Sequence, residues 1–275
     1  MLIIANENFD TLKPNTGALV DQKTVERLGE ILGYDVKSSH RDLTAEQMRQ
    51  ELKKFVEKIK TEPYVASAIV FVLSHGGPHE IYGVDGNTIK RQEIFDALKA
   101  DKCGALKGKP KLIFFDACRG DKHDPGAVNK GKSAEHQKRS DSHKDRTYTP
   151  DERSAALAEH EIVKAIAYTE EQEKELETKG PRLSIMSDML IVDATAMDYY
   201  AYGTSKGSHF INAISQIFES NFETKSIDEM LHMVHDHVLE IMQEGRKEDE
   251  YHSVEGTNYQ SSFRKKFMFC PPSAN

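Results

Sequence analysis

Three cysteines and twelve histidines are spread over this chain of 275 residues, and two of them stand at places where chemistry can happen. Cys118 lies in Asp116-Ala117-Cys118-Arg119-Gly120, directly after the apolar run Leu112 to Phe115. His75 lies in Ser74-His75-Gly76-Gly77, directly after the apolar run Ala68 to Leu73. A thiol becomes a useful nucleophile when a base or cation raises its thiolate fraction, and imidazole is the usual partner near neutral pH. Gly76 permits a close backbone approach and can turn its N–H toward a developing oxyanion. Together these are the parts of a thiol acyl-transfer site. Asp116 and Cys118 are two residues apart on an extended segment, so their side chains share a face and the carboxylate should line the pocket beside the thiol. Cys103 and Cys270 have no such surroundings, and three scattered cysteines make neither a disulfide framework nor a metal knuckle. His232 and His235 share a helix face but find no third ligand, so no metal site is expected.

The two apolar runs must be buried strands for this to work. Both read as central strands of a parallel sheet, and in open α/β sheets the carboxyl ends of the strands meet at one edge where ligands bind. The rest of the chain fits that frame. Leu2 to Ala5 reads as a first strand, Thr24 to Leu32 as a helix ended by Gly33, and Tyr34 to Lys37 as a second strand. Thr44-Ala-Glu-Gln47 is a capping box for a helix carrying Met48, Leu52, Phe55, Val56 and Ile59. A hairpin is expected around Asp85-Gly86-Asn87, then a helix from Gln92 to Ala100. Met189 to Val192 is another strand, followed by the aromatic loop Tyr199 to Gly203 and helices over Phe210 to Phe218 and after the Ser226-Ile-Asp-Glu229 capping box. Arg264 to Phe269 reads as a last, edge strand guarded by its basic residues. Strand and helix in alternation predict an α/β, three-layer sandwich with a mostly parallel six-stranded sheet flanked by helices.

Composition sets further bounds. A formal net charge of -8 disfavours nucleic acid and anionic membrane as partners. The Ala68 to Leu73 run is far short of the roughly 20 apolar residues that cross a bilayer. Met1-Leu2-Ile3-Ile4 leads into Asn6-Glu7-Asn8 without a basic n-region or cleavage site, which points to a cytoplasmic location. Between Asp121 and Pro150 the only large apolar residues are Val128 and Tyr148, too few to offset the entropy of ordering. The chain is therefore expected to divide into a first half over 1–120, a partly disordered linker over 121–187 with a helix near 150–179, and a second half over 188–275 that completes one domain.

With these residues in view, the sequence resembles the caspases, cysteine endopeptidases of the caspase-hemoglobinase fold. Ser74-His75-Gly76 and Ala117-Cys118-Arg119-Gly120 carry the likeness at a spacing of 43 residues, supported by Thr16-Gly17 and Asp21, Asp85-Gly86, Gly108 to Leu112, Gly207-Ser208 and Phe210-Ile211. The resemblance implies that Cys118 attacks the scissile carbonyl, that His75 protonates the leaving amine, and that the N–H groups of Gly76 and Cys118 hold the oxyanion. It implies no cofactor. It also implies a substrate wall of Tyr200 and Tyr202, a strand-like stretch Ala201 to Gly203 that pairs with the substrate backbone, protein substrates, a zymogen stage, a role in apoptosis or related proteolytic signalling, and a homodimer, or a heterodimer with another caspase, through the C-terminal edge strand.

One region departs from the family. Caspases hold a substrate aspartate at P1 with two arginines and a glutamine, and here those positions read as Asn15, Gly203 and Asp116. A carboxylate at Asp116 repels an aspartate and attracts Arg or Lys. Asp116 is also the residue type found two before the cysteine in paracaspases and metacaspases, which cleave after basic residues. The linker offers Lys138-Arg139, Arg146, Arg153 and Arg182 to a basic specificity, and Asp141, Asp145, Asp151 and Asp188 to an acidic one, so maturation sites stay open. The alternative is a catalytically impaired homologue that pairs with an active caspase and modulates it.

Overall fold

The computed structural model describes residues 1–124, 183–247 and 255–270, and the side chains of 245–247 are left aside. A six-stranded sheet runs through the centre. Its strands are β1 (Leu2–Ala5), β2 (Ser38–Arg41), β3 (Ala68–Leu73), β6 (Lys111–Asp116), β7 (Met189–Asp193) and β10 (Asn258–Ser261), in the spatial order β10-β7-β6-β3-β1-β2. All neighbours are parallel except the β10–β7 pair. From β1 the chain runs outward to β2 and then crosses back to β3, so the reversal of strand order falls between β1 and β3. The strand-end loops that open there carry His75 and the segment 6–17.

Alternation along each strand builds two apolar layers. Ile3, Phe71, Leu73, Leu112 and Phe114 face α1 (Ala18–Ile31), α4 (His209–Asn221) and α5 (Ile227–Lys247). Leu2, Ile4, Val70, Val72, Ile113 and Phe115 face α2 (Ala45–Thr61) and α3 (Arg91–Leu98). Phe71 and Phe114 are register partners and stack with centroids 4.5 Å apart. Each such side chain contributes about 1.5–3 kcal/mol by leaving water, so β1, β3 and β6, buried on both faces, are firmly held strands. The expected three-layer α/β sandwich is the observed one.

The capping box at Thr44 forms as read, with Gln47 N–H donating to Thr44 Oγ1 at 3.2 Å. The expected hairpin forms as β4 (Glu80–Tyr82) and β5 (Thr88–Lys90). Several boundaries move. The first helix begins at Ala18 rather than Thr24, because Gly17, at φ 108, turns the chain into it. The second strand is Ser38–Arg41 rather than 34–37. Tyr34 N–H donates back to Gly29 O at 2.8 Å and Lys37 N–H to Asp35 Oδ1 at 3.0 Å, so 34–37 close a turn. The third helix is Arg91–Leu98 rather than 92–100. The largest correction is the last strand. The sheet edge is Asn258–Ser261, and Arg264 to Phe269 pairs with no strand among the described residues. Phe267 and Phe269 instead pack on the α4 and α5 layer, Phe269 against Tyr34 and Phe218, while Phe267 O accepts from Ile227 N–H at 3.0 Å.

The expected helix 150–179 lies outside the described residues. The described ends of the 121–187 segment are tied down: Lys122 bridges Tyr199 in parallel, and Ser262 Oγ donates to Met186 O at 2.5 Å.

Candidate active site

Two adjacent strands, β3 and β6, end side by side and set the positions of His75 and Cys118. Just past the last ladder pair, Leu73 with Asp116, Ser74 N–H donates to Asp116 O at 3.1 Å. The Ser74 hydroxyl donates to Tyr82 O at 2.7 Å, which fixes the turn into His75. The loop then crosses the backbone of the cysteine segment so closely that a Cβ on Gly76 would stand 2.6 Å from Cys118 O. Only a glycine leaves room for that approach.

His75 is oriented by main chain. Its Nε2 lies 2.7 Å from Lys13 O, and because a carbonyl only accepts, Nε2 carries the proton and Nδ1 of the neutral ring keeps its lone pair. Phe9 supports the ring from one side at 4.6 Å between centroids. Cys118 is half-buried, and its Sγ donates weakly to Ala201 O at 3.8 Å. Burial raises the thiol above its ordinary range, and the carboxylates of Asp116 and Glu255 raise it further. The sulfur therefore rests as a thiol.

A cavity of about 100 Å³ brings the expected residues together: Asn15, His75, Asp116, Cys118, Ala201, Tyr202 and Gly203 all line it. Tyr200 does not line it; its ring packs on His123 at 4.7 Å, and His123 Nδ1 lies 2.6 Å from the Tyr202 hydroxyl. Gly76 does not line it either, although its backbone passes close to Cys118 O. Among the described residues no backbone carbonyl accepts from the Gly76 or Cys118 N–H. Gly203 enters a two-residue strand, β8 (Gly203–Thr204), paired with β9 (Gly207–Ser208).

The acidic character of the cavity exceeds what the sequence foretold. Asp21, noted there only for its place in a motif, lines the same space and accepts the Ser208 N–H with both oxygens, at 2.9 and 3.1 Å. Burial, with the neighbouring Asp116 charge, pushes its carboxyl up to about 8. Asp116 is pushed up to about 6, by burial. Glu255 stands behind Tyr202, accepts that residue's N–H at 3.3 Å, is 1% exposed, and leaves Oε1 without a partner among the described residues. Burial and the Asp116 charge hold it well above the usual carboxylate range. No lysine or arginine among the described residues lines this cavity. Glu255 had no local signal in the sequence, since it reaches the site only after the chain has completed α5.

Among the described residues no cluster of three or more His, Cys, Asp or Glu could hold a metal ion, and no helix is long and apolar enough to cross a membrane. Comparison with known proteins agrees with the fold. Among solved structures, caspase-1 from Spodoptera frugiperda superposes with a TM-score of 0.75 at 20% identity, covering 100% of this chain and 90% of that one. Cell death protein 3 of Caenorhabditis remanei is 28% identical over 284 residues, 100% of this chain and 50% of its own length. Caspase-2 of Gallus gallus is 30% identical over 234 residues, 84% of this chain and 48% of its own length. The chain thus spans about half the length of the curated relatives it matches. The caspase domain model matches residues 1–268, nearly the whole sequence. This chain belongs to the caspase family.

Proposed function

We propose that the chain is a cysteine endopeptidase that cleaves proteins after Arg or Lys. The observation that carries this reading is the pair Asp21 and Asp116 lining the cavity beside Cys118, backed by Glu255 and unmatched by any cation among the lining residues. A guanidinium or ammonium at P1 satisfies these carboxylates by charge-assisted bonds, and an aspartate at P1 adds a further negative charge to a poorly solvated site.

The chemistry then runs on two side chains. His75 Nδ1 takes the Sγ proton, and the thiolate attacks the scissile carbonyl carbon. The C–S bond forms while the carbonyl π pair moves onto oxygen, where the N–H groups of Gly76 and Cys118 receive it. Collapse breaks the C–N bond, and the imidazolium proton leaves with the amine. Water, deprotonated by His75, attacks the thioester, and the C–S bond breaks to restore the thiol. The P1 cation has a second effect. Asp116 and Glu255 help to keep the thiol protonated, so a positive charge placed among them lowers the barrier to thiolate formation only when substrate is bound.

In the same reading two copies, or this chain and another caspase, pair along β10, one of the two edge strands of the sheet among the described residues, rather than along Arg264 to Phe269. Its unpaired backbone N–H and C=O groups are the natural template for an added strand.

The test is a set of fluorogenic peptides that differ only at P1, with a Cys118→Ala control. Turnover after Arg or Lys should exceed turnover after Asp by at least about a hundredfold. Preference for Asp overturns the specificity. Silence toward every peptide, before and after cutting of the linker, replaces the enzyme with the regulatory homologue.

A further inference from the structure

A second cavity opens behind the cysteine segment, and its charge is unbalanced in the other direction. Asp193, the last residue of β7, is 3% exposed, and Arg91 and Arg119 are each 5% exposed. Arg91 Nη2 is paired with Asp193 Oδ1. Arg119 Nη1 lies 3.1 Å from Asp193 Oδ2 without the alignment of a hydrogen bond. One carboxylate facing two guanidinium groups leaves one positive charge over, and arginine does not discard its proton. Arg91 Nη1, Arg119 Nε and Arg119 Nη1 are all buried and find no acceptor among the described residues. Unpartnered buried donors are expensive, and charged ones more so.

The surroundings deepen the imbalance. Arg91 Cζ lies over the Phe115 ring, 3.8 Å from its centroid, which helps to hold the guanidinium in place. Both arginines, with Lys90 and His79, line a cavity of about 330 Å³ that shares no lining residue with the one beside Cys118. Two further carboxylates are engaged elsewhere: Asp198 with Lys122 at 2.9 Å, and Glu93 with Arg49 at 2.8 Å.

We propose that this cavity is a binding site for a small oxyanion, phosphate or carboxylate, held by the free N–H groups of Arg91 and Arg119. The fixed, planar donors suit two oxygens of one anion, and Lys90 adds attraction at the entrance. The site reaches the cysteine through main chain. Arg119 N–H donates to Tyr199 O at 2.9 Å and Asp198 N–H to Arg119 O at 3.0 Å, so an anion that anchors the Arg119 side chain also braces the turn directly after Cys118.

The test is thermal unfolding of the full chain with inorganic phosphate or acetate, each against sodium chloride at matched ionic strength, supported by titration calorimetry. At about 20 mM, phosphate should raise the melting temperature by about 2–4 °C, the shift expected for an anion several-fold above its dissociation constant. A shift with phosphate alone identifies phosphate as the source, and a shift with acetate as well admits the carboxylate of a peptide. Arg91→Met should abolish the shift, since it leaves Arg119 matched one to one with Asp193, and Lys90→Gln should weaken calorimetric binding even if Arg91→Met does not fold. No shift beyond that of chloride, or a shift that survives in Arg91→Met, overturns the proposal.

Discussion

The two cavities at the end of β6 are lined by residues only three apart in sequence, Asp116 in one and Arg119 in the other. Among the described residues, one gathers carboxylates without a lysine or arginine, and the other gathers guanidinium groups with a single carboxylate between them. The difference lies in what each can do alone. Carboxylates respond to crowding by holding protons, and Asp21 and Asp116 do so, pushed up to about 8 and about 6. Guanidinium groups have no such recourse below very high pH, so the basic cavity relaxes only by acquiring an anion. An acidic pocket can therefore stand empty at small cost and exchange its protons for a substrate cation.

The sharpest way to break this contrast is at Asp116. Asp116→Asn should lower kcat/KM for an Arg peptide by about a hundredfold and change it for a neutral P1 by less than about threefold. Equal losses for both peptides would mean that Asp116 supports the loop and does not read the substrate. The next effect concerns stability. Asp193→Asn strips the carboxylate from between the two arginines and should cost about 3–5 kcal/mol in denaturant unfolding, with part recovered in phosphate. A loss below about 0.5 kcal/mol would show that Asp193 is not what holds the two arginines in place.

The smallest effect is a pH dependence. Asp21 rises from 3.8 to about 8 on folding, so between those values the folded chain holds more proton than the unfolded chain. Its contribution is full below about pH 4 and is lost as the pH climbs toward 8. Asp21→Asn should remove this fall, so that the melting temperature of wild type drops relative to the variant between about pH 5 and 8. A difference that stays flat, or runs the other way, would place the Asp21 proton elsewhere.

Much of this was legible because β3 and β6 are short apolar runs that stop abruptly at reactive residues, and a two-residue offset put Asp116 beside Cys118. What could not be read came from distance in the chain. Asp21 sits inside α1, and its place at the cavity depends on Ser208, 187 residues on. Arg91 and Asp193 are 102 residues apart, and no local pattern marks either as half of a buried pair. The edge strand misled for a different reason. Asn258-Tyr-Gln-Ser261 is polar and half-exposed, as an edge can be, whereas the alternation of Phe267 and Phe269 belongs to a plug over two helices. Alternating apolar residues report burial on one side, and a ladder is only one way to achieve it.

The hydrogen bond that orients His75 ends on the carbonyl of Lys13, a group that every amino acid supplies. The third member of the arrangement is thus written in the course of the chain and not in the alphabet of its side chains. The residue at position 13 is free to drift without disturbing the imidazole, while a single insertion or deletion between β1 and α1 would carry the acceptor away, so the loop is tolerant in letters and strict in length.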